Sequence, residues 1–211
     1  MTSSAPPAEA PRVAVFARAP TPGSVKTRLV PLLGAEGAAR LHEGLVNHAI
    51  SAAAATRPAT LQLWCSPDAS HPFLVACAAR FGCETRTQQG GDLGERMAHA
   101  FEGNSPLVLI GSDCPPLRGQ HISQAWDALE FHDAVIAPAE DGGYALIALA
   151  RPCPFLFSDI AWGEASVMQR TRERLARAKL SWLELATLWD VDRPEDYERL
   201  RASAMAAEVG A

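Results

Sequence analysis

Several chemistries are closed to this 211-residue chain by what it lacks. No apolar run approaches the length needed to cross a bilayer, so no membrane partner is expected. The opening MTSSAPPAEAP has neither a basic start nor an apolar core, which excludes a secretory signal. Residues 1–11 read instead as a disordered tail. The five cysteines, Cys65, Cys77, Cys83, Cys114 and Cys153, are odd in number. No two stand at the spacing of a zinc or redox motif, so reduced thiols in a cytoplasm fit better than a disulfide framework. There is no basic excess: the net charge is -5, which argues against a nucleic-acid polymer as partner. A small phosphorylated ligand stays open, because a pocket needs only a local positive field. The six histidines show no metal spacing and read as structural. No serine sits in a G-x-S-x-G elbow. Repeats, low-complexity linkers and charge blocks are missing too, so residues 12–200 read as one domain, followed by an alanine-rich tail over 201–211 expected to fray.

What is present centres on Arg12 to Leu29, RVAVFARAPTPGSVKTRL. Its first part is a short apolar run with the branching of a buried strand. Pro20, Pro22 and Gly23 then impose a stiff turn. Arg18, Lys26 and Arg28 bring three cations to that turn, and cations of this kind neutralise phosphate oxygens. It is not a Walker loop: Val25 stands where glycine must precede the lysine, and Pro20 stands at the earlier glycine position. The plainer reading is a strand, a turn and a surface helix with ordinary basic residues.

Further along, Leu41, Leu45, Ala49 and Ala53, widened by Val46 and Ile50, predict a helix over 34–56. Strands are expected at 60–66, 83–88, 106–110, 133–138, 144–150 and 182–186. Helices are expected at 72–81, 92–101, 120–130 and 164–180, and from Pro194 onward. The apolar 106–110 run is the expected sheet centre. This alternation predicts an α/β sheet covered on both faces, mostly parallel, with one antiparallel element at the Asp-Gly turn between 138 and 144.

In such sheets ligands bind beyond the carboxyl ends of the strands. The cation loop over Arg18 to Arg28, the Gln89 to Arg96 turn, Asp113, and Asp190 with Asp192 all fall there. Cations and carboxylates together suit a nucleotide phosphate chain held through magnesium, which takes one or two protein carboxylates. Each acid also has a structural reading. Asp113 suits a turn, Asp92 a helix cap with Glu95, and Asp192 a cap before Pro194 and Glu195. Asp190 and Asp192, two apart in an extended segment, would face the same way. Asp141, Gly142 and Gly143 read as a hairpin turn or as an acceptor contact. Trp162 and Gly163 read first as packing and capping.

The segments FARAPTPGSVKTRL, GDLGERM, IGSDCPPL, DGGYALIAL and DVDRPEDYERL occur in order over Arg12 to Leu200. Through them the chain resembles the glycosyltransferase-A-like, radical-SAM/selenodomain-associated transferase group. More distantly it is similar to molybdenum-cofactor and 2-phospho-L-lactate guanylyltransferases. That resemblance implies the nucleotide-diphospho-sugar transferase (GT-A) fold, three layers α/β/α. It implies nucleotide binding at Arg18, Pro22, Gly23, Lys26, Arg28, Gly91, Asp92 and Gly94. It also implies a magnesium or manganese ion at Asp113, Asp190 and Asp192, with Lys26, Arg28 and Asp113 as the catalytic set. Asp141, Gly142, Gly143 and Trp162 would face a small-molecule acceptor. The expected function is metal-dependent glycosyl transfer from a nucleotide sugar. The alternative is transfer of a nucleoside monophosphate from a triphosphate to a phosphorylated acceptor, with loss of pyrophosphate, because Ser112-Asp113-Cys114 holds one carboxylate where sugar transferases carry Asp-x-Asp. A nucleotide-binding module without turnover is the third reading.

Overall fold

The computed structural model describes residues 10–211. The opening tail therefore lies almost wholly outside the described residues. Seven strands form one sheet: β1 (Arg12–Arg18), β2 (Thr60–Ser66), β3 (Glu84–Thr87), β4 (Leu107–Ile110), β5 (Ala134–Pro138), β6 (Tyr144–Leu149) and β7 (Trp182–Glu184). Their order is β3-β2-β1-β4-β6-β5-β7, which makes β4 the central strand. All four β4 residues are buried, as an unbroken apolar run requires. Only β6 runs against its neighbours, β4 on one side and β5 on the other. It is the expected antiparallel element.

Period-two alternation along the strands feeds two cores. Val13, Val15 and Ala17 of β1 face one side, with Val108 and Ile110 of β4. There they meet α1 (Val30–Ala55), α2 (Pro72–Phe81) and α4 (Gly119–Ala128). Ala14, Phe16 and Leu109 face the other side, against α3 (Leu93–Phe101) and α5 (Val167–Arg177). The result is the three-layer α/β/α architecture. Helix α1 begins earlier than its periodicity indicates, after a short 3-10 turn at Thr27–Leu29. Its first residues are not continuous with the rest, because Gly34 has φ 69° and breaks the helical geometry.

A third, smaller core joins the ends of the chain. Leu29, Leu41 and Leu45 pack with Trp189, Val191, Leu200 of α6 (Pro194–Arg201) and Val209 of α7 (Ala206–Val209). The expectation that residues past Arg201 fray is corrected here. Val209 is buried at 2% exposure, and its carbonyl lies so close to Gly44 of α1 that a side chain there would collide with it. The periodicity of a four-residue helix is too short to read in a sequence.

Gly44→Ala should therefore destabilise the fold by about 1–3 kcal/mol, the usual range for an overpacked contact. A urea denaturation series measures this, and an unchanged midpoint would mean that α7 does not pack there.

Candidate functional site

The chain leaves β1 and β4, which are neighbours, in opposite directions, β1 toward β2 and β4 through α4 toward β5. A crevice opens beyond strand ends where the chain parts in this way. The cation loop follows β1, and Gly111 to Pro116 follows β4. Because β6 is antiparallel, its first residue, Tyr144, and the Asp141–Gly143 turn arrive at this same end of the sheet. The segment after β7 runs beside β5 through an Ala139–Leu188 bridge and delivers Asp190 to Asp192.

Lys26 joins these segments. Its side chain is only 5% exposed, and its Nζ lies 2.8 Å from Asp113 Oδ1 and donates to the Val191 carbonyl at 2.7 Å. The Val191 amide in turn donates to the Asp113 carbonyl at 2.9 Å. The Lys26 backbone is left-handed, with φ 47° and ψ 42°. That conformation costs about 1 kcal/mol or more for a residue with a side chain. The buried ammonium contacts offset it. Gly23, with φ 78°, supplies a second left-handed residue in the same turn.

Two cavities meet at Asp113. One, of about 510 Å³, is polar and ringed by Arg18, Lys26, Arg28 and Arg96, with Asp113 and Asp192 the carboxylates on its wall. The other, of about 260 Å³, is largely apolar and carries Asp113, Asp141, Glu164 and Asp190. Asp113 has one oxygen, Oδ1, shut in against Lys26, while its side chain as a whole is 47% exposed toward the cavities. Burial pushes its carboxyl up, but Lys26, His42 and a hydrogen bond from Ser112 outweigh that, so its pKa lies below the ordinary value. The opposite holds at Asp190. Burial, then Asp141 and Asp113, push its carboxyl up to about 6.

Some sequence-predicted residues meet here and others do not. Arg18, Lys26, Arg28 and Asp113 share the polar cavity, and Asp141, Gly143, Trp162 and Asp190 share the apolar one with Asp113. Asp190 and Asp192 do not face the same way: Asp192 borders the cation side and is ion-paired with Arg28. Nor does Asp192 cap α6 with Glu195. The Asp196 carboxylate accepts from the Asp192 and Arg193 amides instead. Pro22, Gly23, Gly91, Asp92, Gly94 and Gly142 line neither cavity. Asp92 caps α3, accepting from the Glu95 amide at 2.8 Å. Gly94 is glycine because Phe157 and Trp162 press against it, and Gly142 because Ala165 does.

Three residues at the site escaped sequence reasoning. Gln88 borders the polar cavity, beside Arg96 of the expected ligand turn, and Tyr144 borders the apolar one. His42 is 4% exposed, its Nε2 3.0 Å from the Arg18 carbonyl and its Nδ1 3.7 Å from Asp113 Oδ1. Burial lowers its pKa, partly opposed by Asp113, so the ring is neutral at pH 7. A histidine within the apolar stripe of α1, one residue after Leu41, was the available signal.

A divalent cation would find carboxylates but no finished cage. Among the described residues, no group of three or more His, Cys, Asp or Glu side chains is arranged to hold a metal. A hard cation that keeps several waters needs only one or two carboxylates. Burial, and after it the charges of Asp141 and Asp113, raise Asp190, so a cation beside it would favour its ionised form, and Asp113 with Asp190 fits that requirement.

This sheet, with its crevice at the β1/β4 parting, is the nucleotide-diphospho-sugar transferase fold, GT-A-like. A protein from Desulfovibrio desulfuricans G20, provisionally named a nucleotide-diphospho-sugar transferase, superposes with a TM-score of 0.80. It is 34% identical, over 96% of this chain and 94% of that one. Residues 49–164, more than half of the chain, match the family described as an uncharacterized protein conserved in bacteria (DUF2064), and the chain belongs to that family. It is also 37% identical over 93 residues to a 3-phospho-D-glycerate guanylyltransferase of Phenylobacterium zucineum. To a 2-phospho-L-lactate guanylyltransferase of Methanocaldococcus infernus it is 30% identical over 81 residues. These matches span 43% and 38% of this chain, and about two fifths of each guanylyltransferase, 41% and 38%. By fold and by kinship the chain is thus similar to transferases of the nucleotidyl and glycosyl kind. The radical-SAM association rests on the motifs alone. Among the described residues, no helix is long and apolar enough to cross a membrane.

The Asp190 carboxyl gives a pH test. Its folded pKa, about 6, lies above the unfolded value, so the fold favours the protonated acid. That contribution is complete below about pH 3.9 and is lost as pH rises through 6. Asp190→Asn should therefore be more stable than wild type at pH 7.5 without divalent metal. The gain should be about 1–2 kcal/mol after allowing for partial exposure, and it should vanish by pH 4. Paired thermal melts across that range check it.

Proposed function

We propose that this chain is a nucleotidyltransferase. A nucleoside triphosphate occupies the cation-ringed cavity, a small acceptor occupies the apolar one, and pyrophosphate is released. The supporting observation is the charge division at Asp113. Four cations and two carboxylates line the phosphate side, a positive surplus suited to a triphosphate. The kinship with guanylyltransferases points the same way. It favours the nucleotidyl alternative over the expected glycosyl transfer.

In this reading an acceptor hydroxyl oxygen attacks the α-phosphorus, its proton passing to solvent. The bond to the bridging oxygen breaks, and the pyrophosphate stays among Arg18, Lys26, Arg28 and Arg96 until release. Lys26 already has its ammonium fixed beside Asp113, so little reorganisation accompanies the charge shift onto the leaving group. Arg28, exposed and paired with Asp192, exchanges that partner for phosphate oxygens. The buried neutral ring of His42 holds the Arg18 carbonyl and so the end of β1. Asp113 and Asp190 would hold a divalent cation, magnesium or manganese, which when bound supplies charge neutralisation at the phosphates. Asp192, spent on Arg28, is not assigned to it.

Glycosyl transfer remains the second reading, because a 260 Å³ apolar pocket beside the phosphates could also receive a donor sugar. The products separate the two: pyrophosphate with a nucleotide-linked product for the first, a nucleoside diphosphate for the second.

GTP or CTP at a hundredfold excess over its Kd with magnesium or manganese should stabilise the protein by about 2.7 kcal/mol, and the same concentration without metal should stabilise it less. Asp113→Asn and Asp190→Asn should each lower turnover about a hundredfold, close to 3 kcal/mol. Asp192→Asn should have a much smaller effect. Pyrophosphate release and thermal shift measure these, and full activity in both Asp113→Asn and Asp190→Asn would overturn the assignment.

A further inference from the structure

The guanylyltransferases that this chain resembles are named for phosphorylated acceptors. The acceptor-side cavity of this chain has the opposite chemistry. Its walls are Phe16, Met97, Leu146 and Val167, with the rings of Tyr144 and Trp162 meeting edge to face at 6.4 Å. Among the described residues, its charged lining is Asp113, Asp141, Glu164 and Asp190, all acids, with no Lys, Arg or His. Lys26 stands behind Asp113, on the phosphate side. The Tyr144 phenol, raised by burial, adds no charge.

Four backbone amides at this cavity, the other means of holding an anion, are committed elsewhere. Gly143 donates to Asp141 Oδ1 at 2.9 Å. Gly111 donates to the Ala145 carbonyl, Val167 to Glu164 and Met168 to Gly142, at 2.8–3.3 Å. A divalent cation on Asp113 and Asp190 would offset those two acids and leave Asp141 and Glu164 uncompensated. A phosphomonoester placed here would meet like charge, with the unpartnered Trp162 indole N–H a neutral donor that a hydroxyl can use equally well, and the surplus of acids disfavours the dianion.

We infer that the acceptor of this enzyme is not phosphorylated. It is a molecule with an apolar or aromatic body and a neutral or cationic polar group. The inference rests on reading this cavity as the acceptor side of the proposed transferase, and it names the substrate class of that side.

Three probes of one shape and different charge test it: benzyl alcohol, benzylamine and benzyl phosphate. Binding is measured by saturation-transfer NMR titration at pH 7.5 with saturating inorganic pyrophosphate, which fills the cation-ringed cavity, first without and then with magnesium. Benzyl alcohol and benzylamine should each bind at least tenfold tighter than benzyl phosphate, and added salt should weaken the amine most. Val167→Trp, which fills the cavity, should abolish binding of the first two. Should it fail to fold, Leu146→Phe serves the same purpose. Glu164→Lys, at an exposed position, should weaken the amine and strengthen the phosphate, each at least threefold. The inference is overturned if benzyl phosphate binds as tightly as the others, if none of the three binds, or if Glu164→Lys leaves the order unmoved. Nucleotidylation of 3-phosphoglycerate at catalytic rates would overturn it as well. Because the probes are measured without donor, failure of GTP and CTP to bind would remove the nucleotidyl reading while leaving this result distinct.

Discussion

The ammonium of Lys26 holds three separate parts of the chain in one place. It comes from the turn after β1, reaches the carboxylate after β4 and the carbonyl of Val191 after β7, and is itself nearly excluded from water. A buried cation without its partners is costly, on the order of several kcal/mol, so none of these segments can leave independently. The third core has the same effect from beneath, with Leu29 and Val191 both fully buried in it. The left-handed backbone at Lys26 is tolerated because its surroundings fix it twice over.

From this lock follows a cleft divided by charge. Cations gather on the β1 side and acids on the β6 side, with Asp113 on the wall between. One residue experiences both fields. Lys26 keeps Asp113 ionised despite its burial, while Asp190, without an ammonium at contact distance, is driven toward its protonated form. Such divergence between neighbouring carboxylates is the electrostatic pattern expected where a cation and phosphates are received. The antiparallel course of β6 matters as much. Run the other way, it would carry Tyr144 and the Asp141 turn to the far edge of the sheet.

Sheet order could be approached from local pattern, because apolar runs, Gly-Pro punctuation and the Asp-Gly hairpin each report on their own neighbourhood. The β1 turn with its cations, the central place of β4 and the single antiparallel strand were legible for that reason. The paired acids after β7 were read as facing one way, which extended backbone would give. The chain there is not a regular strand, and Arg28, 164 residues earlier, draws Asp192 to the cation side. Gly94 and Gly142 looked like ligand contacts, since glycine in sequence signals close approach without saying by what. Trp162 and Ala165, distant in the chain, are what approach.

By itself, then, the amino-acid sequence determined the strands and helices, the positive turn and the inventory of acids, because those depend on residues a few positions apart. Only the tertiary structure decided which acid faces Lys26, which faces Arg28, and that the charged residues on the second cavity's walls, among the described residues, are acids. Those outcomes rest on contacts between segments far apart in sequence, where side-chain direction is set by packing and not by spacing.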